Sequence, residues 1–149
     1  MKGKSLPMLM LSVALIIVSV STVGCTGQVT EPPVQETPTQ IIEDITPQEA
    51  SDIIDENRGN PDFVIIDVRT PEEFADGHIE NAVNIDYHSA TFESEIGNLD
   101  RDKTYLIYCR SGNRSRGALN VMVELGFKEV YHISVGITGW MEDGFHITK

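Results

Sequence analysis

The sequence predicts an α/β domain built on a mainly parallel sheet, and three observations carry that expectation. Short runs of β-branched and aromatic residues alternate with amphipathic helical patterns, the order that successive βαβ units produce. One run, Phe63-Val64-Ile65-Ile66, is unbroken, as in a strand covered on both faces. Two helix starts, Thr46-Pro47-Gln48-Glu49 and Thr70-Pro71-Glu72-Glu73, have the capping-box pattern with proline at the first helical position.

The elements follow in chain order. Residues 41–45 make a short first strand, and the box at Thr46 opens a helix that runs to Asn57 and is closed by Gly59. The run at 63–66 is the second strand, with Asp67 at its carboxyl end. The second box starts a short helix through Phe74 and Ala75 that Gly77 ends. Ala82-Val83-Asn84-Ile85 reads as a strand and residues 91–96 as a weak helical turn. The strand Thr104-Tyr105-Leu106-Ile107-Tyr108 delivers Cys109. Residues 115–125 form a helix with Ala118, Leu119, Met122 and Val123 on its apolar side and Gly126 just past its end. Val130-Tyr131-His132-Ile133 is the last strand, and residues 137–143 are a closing helix with the only tryptophan, Trp140. No internal repeat is present. Sheets of this kind bind ligands beyond the carboxyl ends of their strands, where Asp67 and Cys109 fall.

A chain of 149 residues with 40% hydrophobic residues has room for one ordinary core. Its 23 acidic against 11 basic residues give a net charge of −12, which excludes the broad basic face that nucleic acid requires. Residues 1–24 read as an export signal: Lys2 and Lys4 form a basic start, residues 9–20 an apolar stretch, and Ser21-Thr22-Val23-Gly24 a small-residue approach to Cys25. The stretch resembles a bacterial or archaeal lipoprotein signal, which implies lipidation of Cys25 as the first mature residue. An uncleaved N-terminal anchor is the alternative, and both place the chain on a membrane outside the cytoplasm, at a prokaryotic cell surface or in a periplasm. Without Lys2 and Lys4 the mature chain has 9 basic residues and a net charge of −14. Residues 26–40, rich in Pro, Thr, Gln and Glu, cannot bury a core and read as a disordered spacer, leaving 41–149 as the folded domain.

The loop after the fourth strand concentrates the chemistry. Cys109-Arg110-Ser111-Gly112-Asn113-Arg114-Ser115 places a thiol at a strand end before a helix, where backbone N–H groups and the helix dipole favour thiolates and anions. Gly112 and Asn113 tolerate positive φ and let the backbone curl its N–H groups inward. Arg110, Arg114 and Arg116 form a positive spot on an acidic protein, suited to concentrating an anion. With Cys25 assigned to lipid, Cys109 has no disulfide partner, and its polar neighbours argue for a reactive thiol rather than a core position.

Four motifs in order then carry a resemblance. Asp67-Val68-Arg69, the stretch Gly77-His78-Ile79-Glu80-Asn81-Ala82-Val83-Asn84-Ile85, the loop from Tyr108 to Ser115, and Gly136-Ile137 with Trp140 are similar to a single rhodanese-type sulfurtransferase domain spanning residues 41–149. The resemblance implies a three-layer sandwich with a five-stranded parallel sheet flanked by helices. It implies that Cys109 accepts sulfane sulfur as a persulfide, with Arg110, Ser111, Gly112, Asn113, Arg114 and Ser115 binding the substrate. Asp67 and Arg69 support the loop as an internal ion pair, or else face water at the strand end. No metal and no organic cofactor is required. The implied partners are a small anionic sulfur donor such as thiosulfate and a thiol or cyanide-like acceptor, with a thiol-carrier protein as a further acceptor. Val135 replaces the first of two glycines that relatives carry, so a less tight turn is expected there.

Rival readings differ at the loop. Tyrosine phosphatases resemble Cys-x5-Arg, whereas four residues separate Cys109 from Arg114, which leaves phosphatase or arsenate-reductase chemistry as the alternative. A non-catalytic sulfur-sensing or binding module is the other, and such modules usually lack the cysteine. His78 belongs to the structural Gly-His-Ile motif. His88, His132 and His146 lack metal-ligand spacing and are expected on the surface or in polar niches.

Overall fold

Both capping boxes form. In the computed structural model, which describes residues 40–149, Thr46 accepts the Glu49 N–H at 3.3 Å while the Glu49 carboxylate accepts the Thr46 N–H at 2.8 Å. Thr70 and Glu73 repeat the exchange at 3.4 and 3.3 Å. These caps satisfy amide groups that a helix start otherwise leaves without partners. The signal at 1–24, Cys25 and the spacer up to residue 39 lie outside the described residues.

The elements run β1 (Ile41–Ile45), α1 (Pro47–Glu56), β2 (Phe63–Asp67), α2 (Pro71–Asp76), β3 (Val83–Asn84), α3 (Phe92–Gly97), β4 (Thr104–Tyr108), α4 (Asn113–Glu124), β5 (Glu129–Ile133) and α5 (Gly136–Glu142). The five strands form one sheet in the order β1-β5-β4-β2-β3, and every pairing is parallel. Helices cover both faces, so the central strands are apolar on both sides. Tyr105, Ile107 and Cys109 point into one core with Ala118, Leu119 and Met122 of α4 and Phe92 and Ile96 of α3. Leu106 and Tyr108 point into the other, with Ala50 of α1 and Ile137 and Trp140 of α5. Each buried Ile, Leu or Phe side chain contributes about 1.5–3 kcal/mol of transfer free energy to this sandwich.

Three expectations shift. The strand expected over 82–85 shrinks to Val83–Asn84, because Asn81 adopts a left-handed φ of 65° just before it. There the Asn84 side-chain amide donates to the Asp67 and Arg69 carbonyls at 2.9 and 2.8 Å. The helix expected from Ser115 starts two residues earlier, at Asn113, with Gly112 as its cap. Val135 does not loosen the final turn. Its φ is −94°, which any side chain tolerates, and the left-handed position is Gly136 at 63°.

Candidate active site

Strand alternation, not loop polarity, decides where Cys109 lies. It continues the Tyr105–Ile107 face of β4 and is 1% exposed, which corrects the expectation that polar neighbours keep it out of the core. Arg110, Ser111 and Asn113 are exposed, and the sulfur sits beneath them. The turn is possible because Gly112 has φ 92°, and a Cβ on it would stand 1.9 Å from the Ser134 carbonyl oxygen. The start of α5 fixes the loop from below: Ile137 N–H donates to the Cys109 carbonyl at 2.9 Å and Thr138 N–H to the Arg110 carbonyl at 3.1 Å. A Cβ on Gly136 would lie 2.5 Å from the Arg110 carbonyl carbon, so that close approach needs glycine.

No side chain caps α4, which leaves its first amides to the sulfur. Gly112 N–H donates to Cys109 Sγ at 3.2 Å, and the Ser115 hydroxyl stands 3.3 Å from it. Burial pushes the Cys109 thiol up, but the Ser115 hydroxyl and the N–H groups of Ser115, Ser111 and Gly112 outweigh it, so the thiol is more acidic than usual. Cys109 is thus built to carry negative charge without water.

The arginines are mostly committed. Arg114 donates from both terminal nitrogens to the Glu73 carboxylate, at 2.6 and 2.8 Å. Arg116 pairs with Asp44, leaving exposed Arg110 as the one loop arginine without an ion-pair partner among the described residues. The positive spot expected of three free arginines is therefore largely neutralised, and Arg114 is held as part of the wall. The Arg114 guanidinium holds the Glu73 carboxyl down at about 2, against a burial effect in the opposite direction and with help from the Thr70 N–H. A carboxyl depressed in the folded state stabilises above its unfolded value near 4.5 and loses that contribution as pH falls towards 2. Glu73→Gln is expected to be less stable than the parent at neutral pH by about 1–2 kcal/mol, with the gap closing as pH approaches 2. Urea unfolding of both proteins across that range measures it.

Asp67 and Arg69 do form a buried pair. Arg69 Nη2 lies 2.6 Å from Asp67 Oδ2, with side chains 8% and 0% exposed, and also donates to the Gly77 carbonyl at 2.6 Å. The pair fixes the end of β2 and the Gly77 turn; the loop around Cys109 is held by other groups. His78 stacks on Phe74, its ring centroid 3.8 Å away, and bonds the Phe74 carbonyl, far from any base role.

The residue that sequence reasoning missed is His132. It is 1% exposed, with Nε2 2.8 Å from Ser115 Oγ and Nδ1 2.9 Å from Asp44 Oδ1. Only the strand pairing places it there, since β5 sets His132 beside Ile107 on one side and Asp44 on the other. Among the described residues no group of three His, Cys, Asp or Glu side chains is arranged to hold a metal ion.

Comparison with known proteins agrees with this geometry. The rhodanese-like domain matches residues 46–143. Thiosulfate sulfurtransferase GlpE of Pseudomonas putida is 35% identical over 96 residues, covering 64% of this chain and 82% of that protein. A sulfurtransferase of Allochromatium vinosum is 33% identical over 86 residues, covering 58% of this chain and 78% of that one. The crystal structure of a rhodanese-related protein from Thermoplasma volcanium superposes with a TM-score of 0.59 at 29% identity, over 71% of this chain and 97% of the other. With a match from the first helix cap to the end of α5, around a cysteine seated at the carboxyl end of the central strand, the chain belongs to the rhodanese-like domain family.

Proposed function

We propose that this protein is a sulfurtransferase that carries sulfane sulfur on Cys109. The observation that carries this reading is the Cys109 sulfur itself, beneath the N-terminus of α4 with the Gly112 N–H and the Ser115 hydroxyl directed at it. The Cys109 thiolate attacks the outer sulfur of thiosulfate, the S–S bond of the donor breaks, and sulfite departs with the electron pair. Cys109 is left as a persulfide anion. An acceptor thiolate or cyanide then takes the terminal sulfur and restores the thiolate, a two-step covalent cycle with ping-pong kinetics. Exposed Arg110, next to Cys109 in the chain, meets the incoming anion, and the loop from Ser111 to Ser115 supplies the donors that hold charge on sulfur. The relatives named as sulfurtransferases support this reading. Against phosphatase or arsenate-reductase chemistry stands the loop length, since four residues rather than five separate Cys109 from Arg114.

The test is to incubate the full chain with thiosulfate and follow the peptide containing Cys109 by mass spectrometry. A gain of one sulfur atom, with thiocyanate formed on adding cyanide, is expected. An unmodified Cys109 and no thiocyanate would sink the proposal, and Cys109-dependent hydrolysis of aryl phosphates would favour the phosphatase reading.

The proposal extends to location. Lys2, Lys4, the apolar residues 9–20 and Gly24-Cys25 support a lipid-anchored protein facing away from the cytoplasm. Labelled fatty acid should then appear on the protein and be absent from Cys25→Ala; no label on either would point to the uncleaved anchor, and equal label on both would overturn lipidation at Cys25.

A further inference from the structure

The Ser115 hydroxyl has one proton and three acceptors within reach: Cys109 Sγ at 3.3 Å, the Gly112 carbonyl at 3.1 Å and His132 Nε2 at 2.8 Å. Which it serves is decided at the far end of the chain of contacts. Asp44 Oδ1 lies 2.9 Å from His132 Nδ1, and an ionised carboxylate only accepts, so Nδ1 carries the proton and Nε2 presents a lone pair. The Ser115 hydroxyl then donates to Nε2, and its oxygen is free to accept from the Cys109 thiol. The order is Cys109 S–H to Ser115 O–H to His132, with Nδ1–H to Asp44, from the buried sulfur to a carboxylate that is 46% exposed.

We propose that His132, paired with Asp44, takes the proton that the Cys109 thiol gives up, by way of the Ser115 hydroxyl. The sulfur proton moves to Ser115 Oγ as the Ser115 proton moves to His132 Nε2. The products are a thiolate, a hydroxyl now donating to that thiolate, and an imidazolium facing the Asp44 carboxylate. Charge is conserved and no other reactant is needed. His132 is a positioning residue, since it acts on the reacting sulfur only through Ser115.

The surroundings fit both ends of the transfer. The charged groups around His132 are Asp44 from β1, bonded to it, and Arg116 from α4, paired with Asp44; the Cys109 thiol of the loop after β4 lies beyond the Ser115 hydroxyl. Burial pushes the imidazole below its ordinary value, with Arg116 adding to this and Asp44 opposing it, so His132 is neutral and able to accept while the sulfur holds its proton. Asp44 is held below the ordinary carboxyl value, chiefly by its bond from Arg116, and stays a carboxylate throughout. Once the sulfur is negative, thiolate and imidazolium stabilise each other across one hydroxyl in a site closed to water.

The inference rests on Cys109 being the nucleophile of the proposed transfer, and its test uses no sulfur donor, so each can fail alone. The full chain is alkylated with iodoacetamide over a range of pH, reading the Cys109 peptide by mass spectrometry. His132→Gln keeps an amide near Ser115 but cannot take a proton. We expect its alkylation midpoint to rise by about one pH unit, so that the rate falls about tenfold below the midpoint and is unchanged on the alkaline plateau. A profile lowered in proportion at every pH, with the midpoint unmoved, would show a structural role and overturn the proposal. Coupling is reciprocal. In Cys109→Ser, the His132 ring resonances followed by NMR should therefore titrate at lower pH than in the parent, and identical titrations would overturn the proposal equally. This second variant decides the matter should His132→Gln not fold.

Discussion

Cys109→Ser will form no thiocyanate from thiosulfate and cyanide above the uncatalysed background, while its far-UV circular dichroism stays that of the parent. The loss follows from the sulfur's task. A hydroxyl in the same cradle is not ionised at neutral pH, and an oxygen nucleophile gives no persulfide to pass on. The fold is retained because serine is close in size to cysteine and finds partners already in place, the Gly112 N–H and the Ser115 hydroxyl. That separates loss of chemistry from loss of structure. A variant that still turns over thiosulfate would move the chemistry away from this loop.

Arg69→Ala is expected to have the largest effect on stability. Asp67 is 0% exposed, and its carboxylate is balanced by bonds from Arg69 Nε and Nη2 at 2.6–3.0 Å. Removing the guanidinium leaves a buried charge without a partner and the Gly77 carbonyl without a donor, a loss of about 3–5 kcal/mol. Against a total stability of about 5–15 kcal/mol this is a large fraction, equivalent to a fall in Tm of more than about 10 °C. Removing both charges in Asp67→Asn/Arg69→Met is expected to be milder than Arg69→Ala alone, because no uncompensated charge remains. Thermal unfolding of the two variants and the parent tests the order. Arg69→Ala as stable as the double variant would mean that the lone Asp67 carboxylate carries no such cost, and Arg69→Ala as stable as the parent would mean that the pair contributes little to the fold.

The local signals were readable from neighbouring residues. Thr46 with Glu49 and Thr70 with Glu73 set two helix starts within four residues each, and Phe63–Ile66 marked a strand covered on both faces. The position of Cys109 between a strand end and a helix start was legible from the strand before it and the helix after it. Its burial is also legible, because Tyr105, Ile107 and Cys109 alternate on one side of a central strand, and that period of two outweighs the polarity of the loop that follows. What no local pattern could give were the long-range partners. Arg114 meets Glu73 across 41 positions and His132 meets Asp44 across 88, and both contacts exist only because the sheet order brings distant segments together. Three arginines in a row of seven residues looked like free charge for that reason, and a histidine in the last strand looked idle.

Among the described residues strand β1 is an edge strand, hydrogen-bonded to β5 alone. It carries Asp44, the outer end of the contacts that run through His132 and Ser115 to the sulfur. A shortened protein made for crystallisation or assay has therefore to keep everything from Gln40 onward. Trimming to the boundary that family similarity marks, at Thr46, would leave Cys109 and its loop in the chain and discard the carboxylate behind them.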